Sequence, residues 1–545
     1  MSCDISRARA AISTLKLEDR GPAGMLGIGV RRQAMVGSLA RRPRLAEPAS
    51  QFSMARRPGK TPRQLAVIKT IAKAARKPCR RLEAPRAQQS SRRRGVVGDV
   101  VVASPSVCSK ISPALRNTLA SWGPSLARQV AVARRQWLET HGVRVSDEAS
   151  PSVKVGTDCS GAEAPIWALR AMQVPHTHVF SCDWKERVRD FIKATSPPAG
   201  PIFADMLQRR CEDIPAMDIY VCGFPCTPFS ALRHHRTRLL KEDAAKPFFC
   251  VLRVLRECKP KLAVLENVMG IRQVMAKVLR YLGRTGMYQV IVLPIDSLDL
   301  GEPVSRPRYY FLLVRRDVGV LNDAKQIKSL VAAMAHAAFQ PVTAHIADRM
   351  FLNASPCVQS YLGKVAQKCD DAKGSADSTR KWHAQHEAFS KAKGLRLGGN
   401  LAEGSGLCTQ RMRSALHLWK QHLGKAITAD FSQSIGRVGA RADGVAPTIT
   451  PRGLVFVGGR GVNRVITPRE KLAIHLFPIH TMSIPKGFPE AELGRLGGNT
   501  MHLKSIGLAL AIGMALVDFS PASPTAQLGK APTAIVLPLH TVRRG

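Results

Sequence analysis

The 545-residue sequence predicts an α/β protein with a doubly wound, mostly parallel sheet, a smaller inserted domain and a disordered basic N-terminal tail. Three observations predict this organisation. Short apolar runs alternate with helix-length segments from about residue 151 onward, and such alternation is typical of parallel sheets. The periodicity weakens over residues 319–445 and returns after residue 446. The first 105 residues carry repeated Arg clusters that Pro and Gly interrupt.

The N-terminal tail, residues 1–105, is expected to stay unfolded by itself. Its composition buries too little apolar area to offset the conformational entropy of an ordered chain. The Arg clusters can serve as a nuclear address, so we expect a nuclear protein. Because the segment is also poor in acidic residues, it suits an organellar transit peptide as well, and that location stays open as the alternative.

Net charge indicates what kind of partner the protein binds, and cysteine spacing indicates which metal or disulfide sites are absent. The formal net charge is +43 and the isoelectric point about 10.6, a balance that suits a polyanion such as nucleic acid. The 13 Cys are scattered without a Cys-x-x-Cys pair, which argues against a zinc module and against a disulfide framework, so no metal site is expected. No apolar run of about 18 residues occurs, and no membrane partner is expected.

The elements follow in chain order. Residues 106–150 are predicted to be a helical linker, with a helix from about Pro124 to His141. Residues 151–318 and 446–522 are predicted to be two parts of one catalytic domain, and residues 523–545 a C-terminal tail. Strands are predicted at Val153–Asp158, His178–Ser181, Asp218–Gly223, Leu262–Leu265, Tyr288–Leu293 and Tyr309–Val314. Helices are predicted at Ala164–Met172, Lys185–Ala194, Phe248–Glu257 and Leu503–Val517.

Chemically versatile residues follow several of these strands. Cys226 lies in the loop Gly-Phe-Pro-Cys-Thr-Pro-Phe-Ser, where two prolines hold one thiol in a stiff turn. A thiolate is a strong nucleophile, and a rigid loop at a strand end can aim it. Glu266 follows the next strand, and the pair Arg306 and Arg308 precedes another. Because ligands bind at the carboxyl ends of such strands, we expect these groups to converge on one rim.

At these motifs the chain resembles the cytosine-5 DNA methyltransferase family, which uses S-adenosylmethionine as methyl donor. The cysteine loop, Glu-Asn-Val and Arg-x-Arg stand in the family's order and spacing. The resemblance covers about residues 152–318 and 446–520, and it implies a Rossmann-like methyltransferase fold. Residues 319–445 take the place of the target recognition domain. DNA is the implied substrate, with the cytosine flipped out of the helix.

The resemblance also implies the catalytic roles. Cys226 adds to carbon 6 of cytosine, which makes carbon 5 able to take a methyl group. Glu266 supplies a proton or hydrogen bond at ring nitrogen 3. Asn267 orients the base or the active-site loop. Arg308 holds the base carbonyl and Glu266, with Arg306 nearby.

The implied cofactor residues lie in four places. The first strand-to-helix turn, Asp158-Cys159-Ser160-Gly161, matches a family loop under the methionine part of the cofactor, although Ala162-Glu163-Ala164 follows where more glycine is usual. An acidic and an aromatic residue end the second strand and suit the ribose hydroxyls and the adenine ring. Further contacts are expected from the residue facing the adenine amino group, from the cysteine loop and from the late Gly-Asn-Thr motif. These residues are Asp183, Trp184, Asp205, Pro225 and Asn499.

Two alternatives to a DNA methyltransferase stay open. One branch of the family methylates transfer RNA with the same residues, although the basic tail and the middle region favour DNA over RNA. A catalytically weak, DNA-binding copy is the second alternative, because Thr227, Val304 and the altered turn depart from the family pattern. The intact Cys226 and Glu266 argue against it. Target sequence, maintenance or de novo activity and oligomeric state are not encoded in any motif we can interpret.

Deletion of residues 1–105 is expected to leave an active core whose affinity for DNA falls at low salt. The Arg clusters have few aromatic neighbours for stacking on bases, so they suit phosphate contacts that carry no sequence information. Each lost phosphate contact flattens the log–log salt dependence of binding by about 0.9. Binding measured at several salt concentrations tests this. An unchanged slope in the truncated protein would make the tail a targeting segment instead.

Overall fold

A computed structural model describes residues 111–143, 152–230, 239–370, 376–398, 407, 409–424, 426–436, 440–519 and 534–537. All of them belong to one compact unit. The predicted disordered tail and most of the C-terminal tail lie outside the described residues. None of the described helices combines the length and apolarity that crossing a membrane requires.

The predicted mostly parallel sheet is confirmed. Its order is β11-β6-β7-β5-β4-β1-β2-β3, and all neighbouring pairs are parallel except the two that involve β7. The strands are β1 (Val153–Asp158), β2 (His176–Cys182), β3 (Ile202–Phe203), β4 (Ile219–Cys222), β5 (Leu262–Val268), β6 (Tyr288–Ile295), β7 (Arg308–Arg315) and β11 (Ile535–Val536).

Helices cover both faces of the sheet because alternate strand residues point to two cores. Val264 of β5 packs in one core with the first and last helices, whereas its neighbours Ala263 and Leu265 pack in the other with Phe248. The helices are α1 (Pro113–Thr140), α2 (Ala164–Ala171), α3 (Glu186–Thr195), α4 (Lys246–Glu257), α5 (Met275–Gly283), α6 (Ala324–Ala338), α7 (Pro356–Asp370), α8 (Ala376–Lys393), α9 (Gln410–Leu423), α10 (Pro468–Ile474), α11 (Glu490–Asn499) and α12 (Leu503–Ala515). This two-sided packing is the doubly wound arrangement.

Helix α1 begins eleven residues earlier than predicted. The predicted start at about Pro124 is wrong. The side chain of Ser112 accepts a hydrogen bond from the backbone N–H of Leu115, and Pro113 occupies the first turn. This cap and proline supply a stronger start signal than Pro124, which the helix accommodates internally.

Helix α1 packs directly onto the catalytic core. The indole of Trp122 lies against Gly507 of α12, where a Cβ would come within 3.2 Å of the ring. Gly123 approaches so closely to α2 that a Cβ would meet the Ala171 carbonyl oxygen at 2.1 Å. Farther along, Trp137 Nε1 donates to Ser329 Oγ of α6 over 3.0 Å. The helix therefore shares its buried face with α2, α6 and α12.

A second, antiparallel sheet joins residues on both sides of the predicted boundary at 445. Its order is β10-β9-β8, with β8 at Thr428–Asp430, β9 at Val455–Gly459 and β10 at Val462–Val465. At its edge Arg464 makes two hydrogen bonds, of 2.8 and 2.9 Å, to the carboxylate of Glu470, and both side chains are buried. Glu470 also forms a capping box with Thr467, so this late motif fixes the start of α10.

Replacing Trp122 by Ala is expected to destabilise the protein by about 3–5 kcal/mol, the range for removing a buried aromatic side chain. The matched control is Val132→Ala on the same helix, because Val132 is 48% exposed, whereas Trp122 is 5% exposed. Urea unfolding of the two variants and the parent chain measures the difference. Equal midpoints for the two variants would contradict the packing described for α1.

Candidate active site

The candidate site lies along the carboxyl ends of β1, β2, β4 and β5, the edge where ligands bind in parallel sheets. The cysteine loop follows β4, and Glu266 and Asn267 are the two residues before the last residue of β5. In the register of the sheet, Val268 pairs with Arg308 on β7. The sheet therefore brings the predicted thiol, carboxyl and guanidinium groups to one rim.

Buried aromatic rings and one amide hold the cysteine loop. The ring of Phe224 packs against those of Phe229 and Phe248, with centroids 6.3 and 5.3 Å apart. The side chain of Asn267 donates to the Phe224 carbonyl oxygen over 3.0 Å, and the N–H of Phe229 donates to the Cys226 carbonyl oxygen over 2.9 Å. Of the two roles predicted for Asn267, this geometry places it against the loop.

An ion pair lies beside the thiol. Arg308 Nε is 2.9 Å from Glu266 Oε1, and both side chains are almost buried. The other carboxylate oxygen, Oε2, faces Gly223 at the start of the loop, where a Cβ would lie 3.4 Å from it and 2.8 Å from Met501 Cε. Glycine at position 223 thus lets the loop, β5 and the segment before α12 approach one another.

Arg306 links distant parts of the chain. Its Nη1 and Nη2 donate to the carbonyl oxygens of Ile449 and Gly498, each over 3.1 Å, and its backbone N–H donates to Asp296 Oδ1 over 2.7 Å. Gly498 must be glycine, because a Cβ there would lie 2.2 Å from the backbone nitrogen of Pro451. The late Gly-Asn-Thr motif therefore reaches the catalytic rim through a backbone carbonyl.

Opposing charges act on the Cys226 thiol. Burial raises its pKa, and the carboxylate of Glu266 raises it further, whereas the guanidinium groups of Arg308 and Arg306 lower it. A group whose charged form is disfavoured by burial needs nearby opposite charge to ionise. The two arginines supply that charge at this rim.

Hydrogen bonds connect the predicted cofactor turn, residues 158–161, to the residues that follow β2. Cys159 and Gly161 both have positive φ, of 51° and 54°. The N–H of Gly161 donates to Asp183 Oδ2 over 3.2 Å, and that of Lys185 donates to Oδ1 over 3.0 Å. Burial raises the pKa of Asp183, and these two amides lower it. Beside it, Trp184 is 76% exposed, so one ring face is open to stacking.

Asp158 is engaged inside the protein. Arg209 donates to its two carboxylate oxygens over 2.8 Å each, and the Tyr220 hydroxyl donates to Oδ2 over 2.7 Å. Asp158 is buried, so a contribution to cofactor binding would have to come from its backbone. Ser160 is likewise tied inward, because its Oγ accepts a hydrogen bond from the N–H of Cys182 over 3.0 Å.

The remaining predicted residues lie around this edge. Asp205 Oδ1 accepts a hydrogen bond from the N–H of Leu207 over 2.7 Å. Pro225 is half-buried in the cysteine loop, and Asn499 is exposed at the end of α11. The structure thus forms two groups: Cys226, Glu266, Asn267, Arg306 and Arg308, and the β1 turn with Asp183.

Sequence reasoning missed Glu163. This buried residue adopts φ 57° at the start of α2, and its carboxyl accepts hydrogen bonds from Thr157 Oγ1 over 2.9 Å and from Ser181 Oγ over 2.6 Å. Burial raises its pKa to about 8. The available signal was a glutamate at a position where glycine is usual, since the left-handed conformation favours glycine.

The family model for C-5 cytosine-specific DNA methylase matches residues 159–481, more than half of the chain. The chain belongs to the C-5 cytosine-specific DNA methylase family. Members of this family use S-adenosylmethionine as methyl donor. The matched range contains the cysteine loop, Glu266 and the arginine pair.

This DNA methylase family member is similar to several named proteins. It is 30% identical to the Type II methyltransferase M.BsuFI of Bacillus subtilis over 161 residues, which are 27% of this chain and 35% of that relative. It is 32% identical to the DNA (cytosine-5-)-methyltransferase DMT5 of Verticillium dahliae over 124 residues, 18% of this chain and 5% of that relative. The chain thus spans about a third or less of these relatives.

Among solved structures, the methylase chain is similar to the Dnmt2 methyltransferase of S. pombe. The alignment covers 67% of this chain and 98% of that one, with 16% identity and a TM-score of 0.41.

Two substitutions, each of which neutralises one charge beside Cys226, are expected to shift the pKa of its thiol in opposite directions. Glu266→Gln removes a negative charge and lowers the pKa, whereas Arg308→Met removes a positive charge and raises it. Alkylation rates of Cys226 across a pH series, followed by peptide mass analysis, measure both shifts. Cys250 is the internal control, because neither residue contributes to its pKa shift. Shifts of the same sign in both variants would contradict this electrostatic arrangement.

Proposed function

We propose that this chain transfers a methyl group from S-adenosylmethionine to carbon 5 of cytosine in DNA, through a covalent adduct with Cys226. The observation that carries the proposal is the thiol in its stiff loop beside the Glu266–Arg308 ion pair. Family membership supports the reaction class, and the net charge of +43 supports a polyanionic substrate.

The site residues fit the reaction as follows. After Cys226 loses its proton, its sulfur forms a bond to carbon 6 of cytosine, and the electrons of the 5,6 double bond move toward carbon 5. Glu266, held at Oε1 by Arg308, presents its other oxygen toward the loop for ring nitrogen 3. Carbon 5 would then take the methyl group that S-adenosylmethionine supplies, with S-adenosylhomocysteine as the leaving group. When a base removes the proton on carbon 5, the electrons of that bond re-form the 5,6 double bond, the sulfur–carbon bond breaks and Cys226 is restored as a thiolate. Because the ring must be reached from both faces, the cytosine leaves the helix.

The described residues also fit the cofactor. Among the described residues, the Asp183 carboxylate accepts hydrogen bonds from the backbone N–H groups of Gly161 and Lys185, and carboxylate oxygens have lone pairs for further donors such as ribose hydroxyls. The exposed ring of Trp184 suits an adenine, and Asp205 lies after the neighbouring strand β3. When bound, S-adenosylmethionine supplies an electrophilic methyl group. The Arg-rich tail supports a nuclear location as part of this proposal.

Covalent trapping tests the proposal. The full chain, incubated with labelled S-adenosylmethionine and a DNA duplex containing 5-fluorocytosine, is expected to form a stable protein–DNA adduct, because fluorine at carbon 5 prevents the final elimination. Cys226→Ser should form none and should transfer no methyl group to ordinary DNA. Cys250→Ser, a partly buried cysteine on α4, is the matched control and should behave like the parent chain.

A parallel incubation with transfer RNA distinguishes the substrates. Transfer to RNA alone would overturn the DNA assignment and keep the chemistry. Transfer to neither nucleic acid, with cofactor binding intact, would indicate a DNA-binding copy. Trapping at Cys222 or Cys159 would overturn the assignment of the nucleophile.

A further inference from the structure

The buried side of Arg306 faces polar groups that the reaction described above does not use. His475 follows α10 and His502 precedes α12, and both are fully buried. Their rings meet edge to face with centroids 5.7 Å apart. Neither ring nitrogen of either histidine has a hydrogen-bond partner within the described part of the chain, and the same holds for Nε of Arg306 and the hydroxyl of Thr500.

Backbone contacts bring these groups around the guanidinium. Arg306 Nη2 donates to the carbonyl oxygen of Gly498, two residues before Thr500. The N–H of Leu503, next to His502, donates to the carbonyl oxygen of His475 over 3.1 Å. The α11–α12 connection and the end of α10 therefore lie together behind Arg306.

The electrostatic environment keeps the two histidines neutral. Burial lowers the pKa of both, to about 3 for His502, and the positive charge of Arg306 lowers both further. A neutral imidazole offers one donor and one acceptor nitrogen. Arg306 itself has no carboxylate within ion-pair distance among the described residues, since Glu266 pairs with Arg308 and Glu302 with Arg349. Among the described residues, the guanidinium of Arg306 donates to two neutral carbonyl oxygens, those of Ile449 and Gly498.

Buried polar groups are almost always paired, and a bridging water is the usual partner where side chains do not meet directly. Here a guanidinium N–H and four imidazole nitrogens lie in one buried region, since the two rings meet edge to face and the charge of Arg306 acts on both. An unpaired charged donor would cost several-fold more than an unpaired neutral one. The acceptor nitrogens of the histidines are the groups that can offset this cost.

We propose that His475 and His502 are positioning residues for Arg306, and that buried water joins their ring nitrogens to Nε of its guanidinium. The carbonyls of Ile449 and Gly498 hold one edge of the guanidinium, and this hydrated histidine pair holds the other. The arrangement fixes the direction of the positive charge that Arg306 contributes to Cys226. The inference rests on the proposed function, because it assigns the pair a part in the same site.

The test compares ring-preserving and hydrogen-bonding replacements in the full chain. His475→Phe and His502→Phe retain an aromatic ring but remove the polar atoms, whereas His475→Gln and His502→Gln retain a donor and an acceptor. His336→Phe is the matched control, because His336 is exposed on α6. Single-turnover methyl transfer, KM for S-adenosylmethionine and the thermal midpoint are measured for each variant.

The Phe variants are expected to slow the chemical step by about tenfold or more, the scale of a small misplacement of a catalytic group. Their KM for the cofactor should not change, and the Gln variants should recover most of the rate. Phe variants that fold and transfer at the parent rate would overturn the proposal. So would Gln variants that are as slow as the Phe variants, because that result indicates a packing role.

A high-resolution crystal structure of the parent chain provides a readout besides activity. Density for water within hydrogen-bond distance of both Arg306 Nε and an imidazole nitrogen is expected. Its absence would overturn the proposal even if every Phe variant failed to fold. If the parent chain transfers no methyl group to DNA or RNA, the proposed function fails, and the crystal structure still decides whether water links the histidines to Arg306.

Discussion

The buried guanidinium of Arg306 is the constraint on which the assembly of this site depends. It donates hydrogen bonds to the backbone carbonyl oxygens of residues 449 and 498. These bonds hold both segments beside β7, which begins two residues after Arg306. Each of the two carbonyls follows Arg306 by more than a hundred residues of sequence, and part of that intervening sequence forms the second sheet and its helices. A charged group in this position stays buried only if every surrounding polar group is accurately placed, because burying an unpaired charge is expensive. The late part of the chain is therefore required to complete the rim that the first part forms.

The two arginines at this rim have different hydrogen-bond partners. Arg308 forms an ion pair with Glu266 and so fixes the orientation of that carboxylate. The guanidinium of Arg306 donates to two neutral carbonyls and forms no ion pair with the described residues, so its charge remains available to neighbouring anionic groups. In a site of low dielectric constant such a charge acts over a longer distance than it would in water. A thiolate or the developing charge on a bound ring would be its natural counterpart.

Much of this arrangement could be predicted from the sequence because the sheet itself sets it. Once β4 and β5 are recognised as neighbouring parallel strands, the residues that follow them must share an edge, and the pairing of Cys226 with Glu266 follows. The prediction failed where a local rule competed with tertiary packing. Pro124 looked like a helix start, yet α1 continues through it because Ser112 caps the helix and Trp122 packs against α12. The engagement of Asp158 by Arg209 was equally hidden, because their partnership depends on a contact across 51 positions that no local pattern records. The assignment of residues to the cofactor stays a prediction.

The buried carboxyl of Glu163 makes the turn between β1 and α2 sensitive to pH. In a turn that contains glycine, the backbone adopts a positive φ without support from a side chain, and the stability of the turn does not depend on pH. Here the turn between β1 and α2 depends on a carboxyl that the hydroxyls of Thr157 and Ser181 hold between two strands. Its pKa is raised from 4.5 to about 8, so the folded chain prefers the protonated form. The stability that this preference provides is complete below pH 4.5 and is lost progressively as the pH rises to about 8. One proton is thus part of the folded turn below about pH 8, and the stability of the connection between β1 and α2 depends on pH.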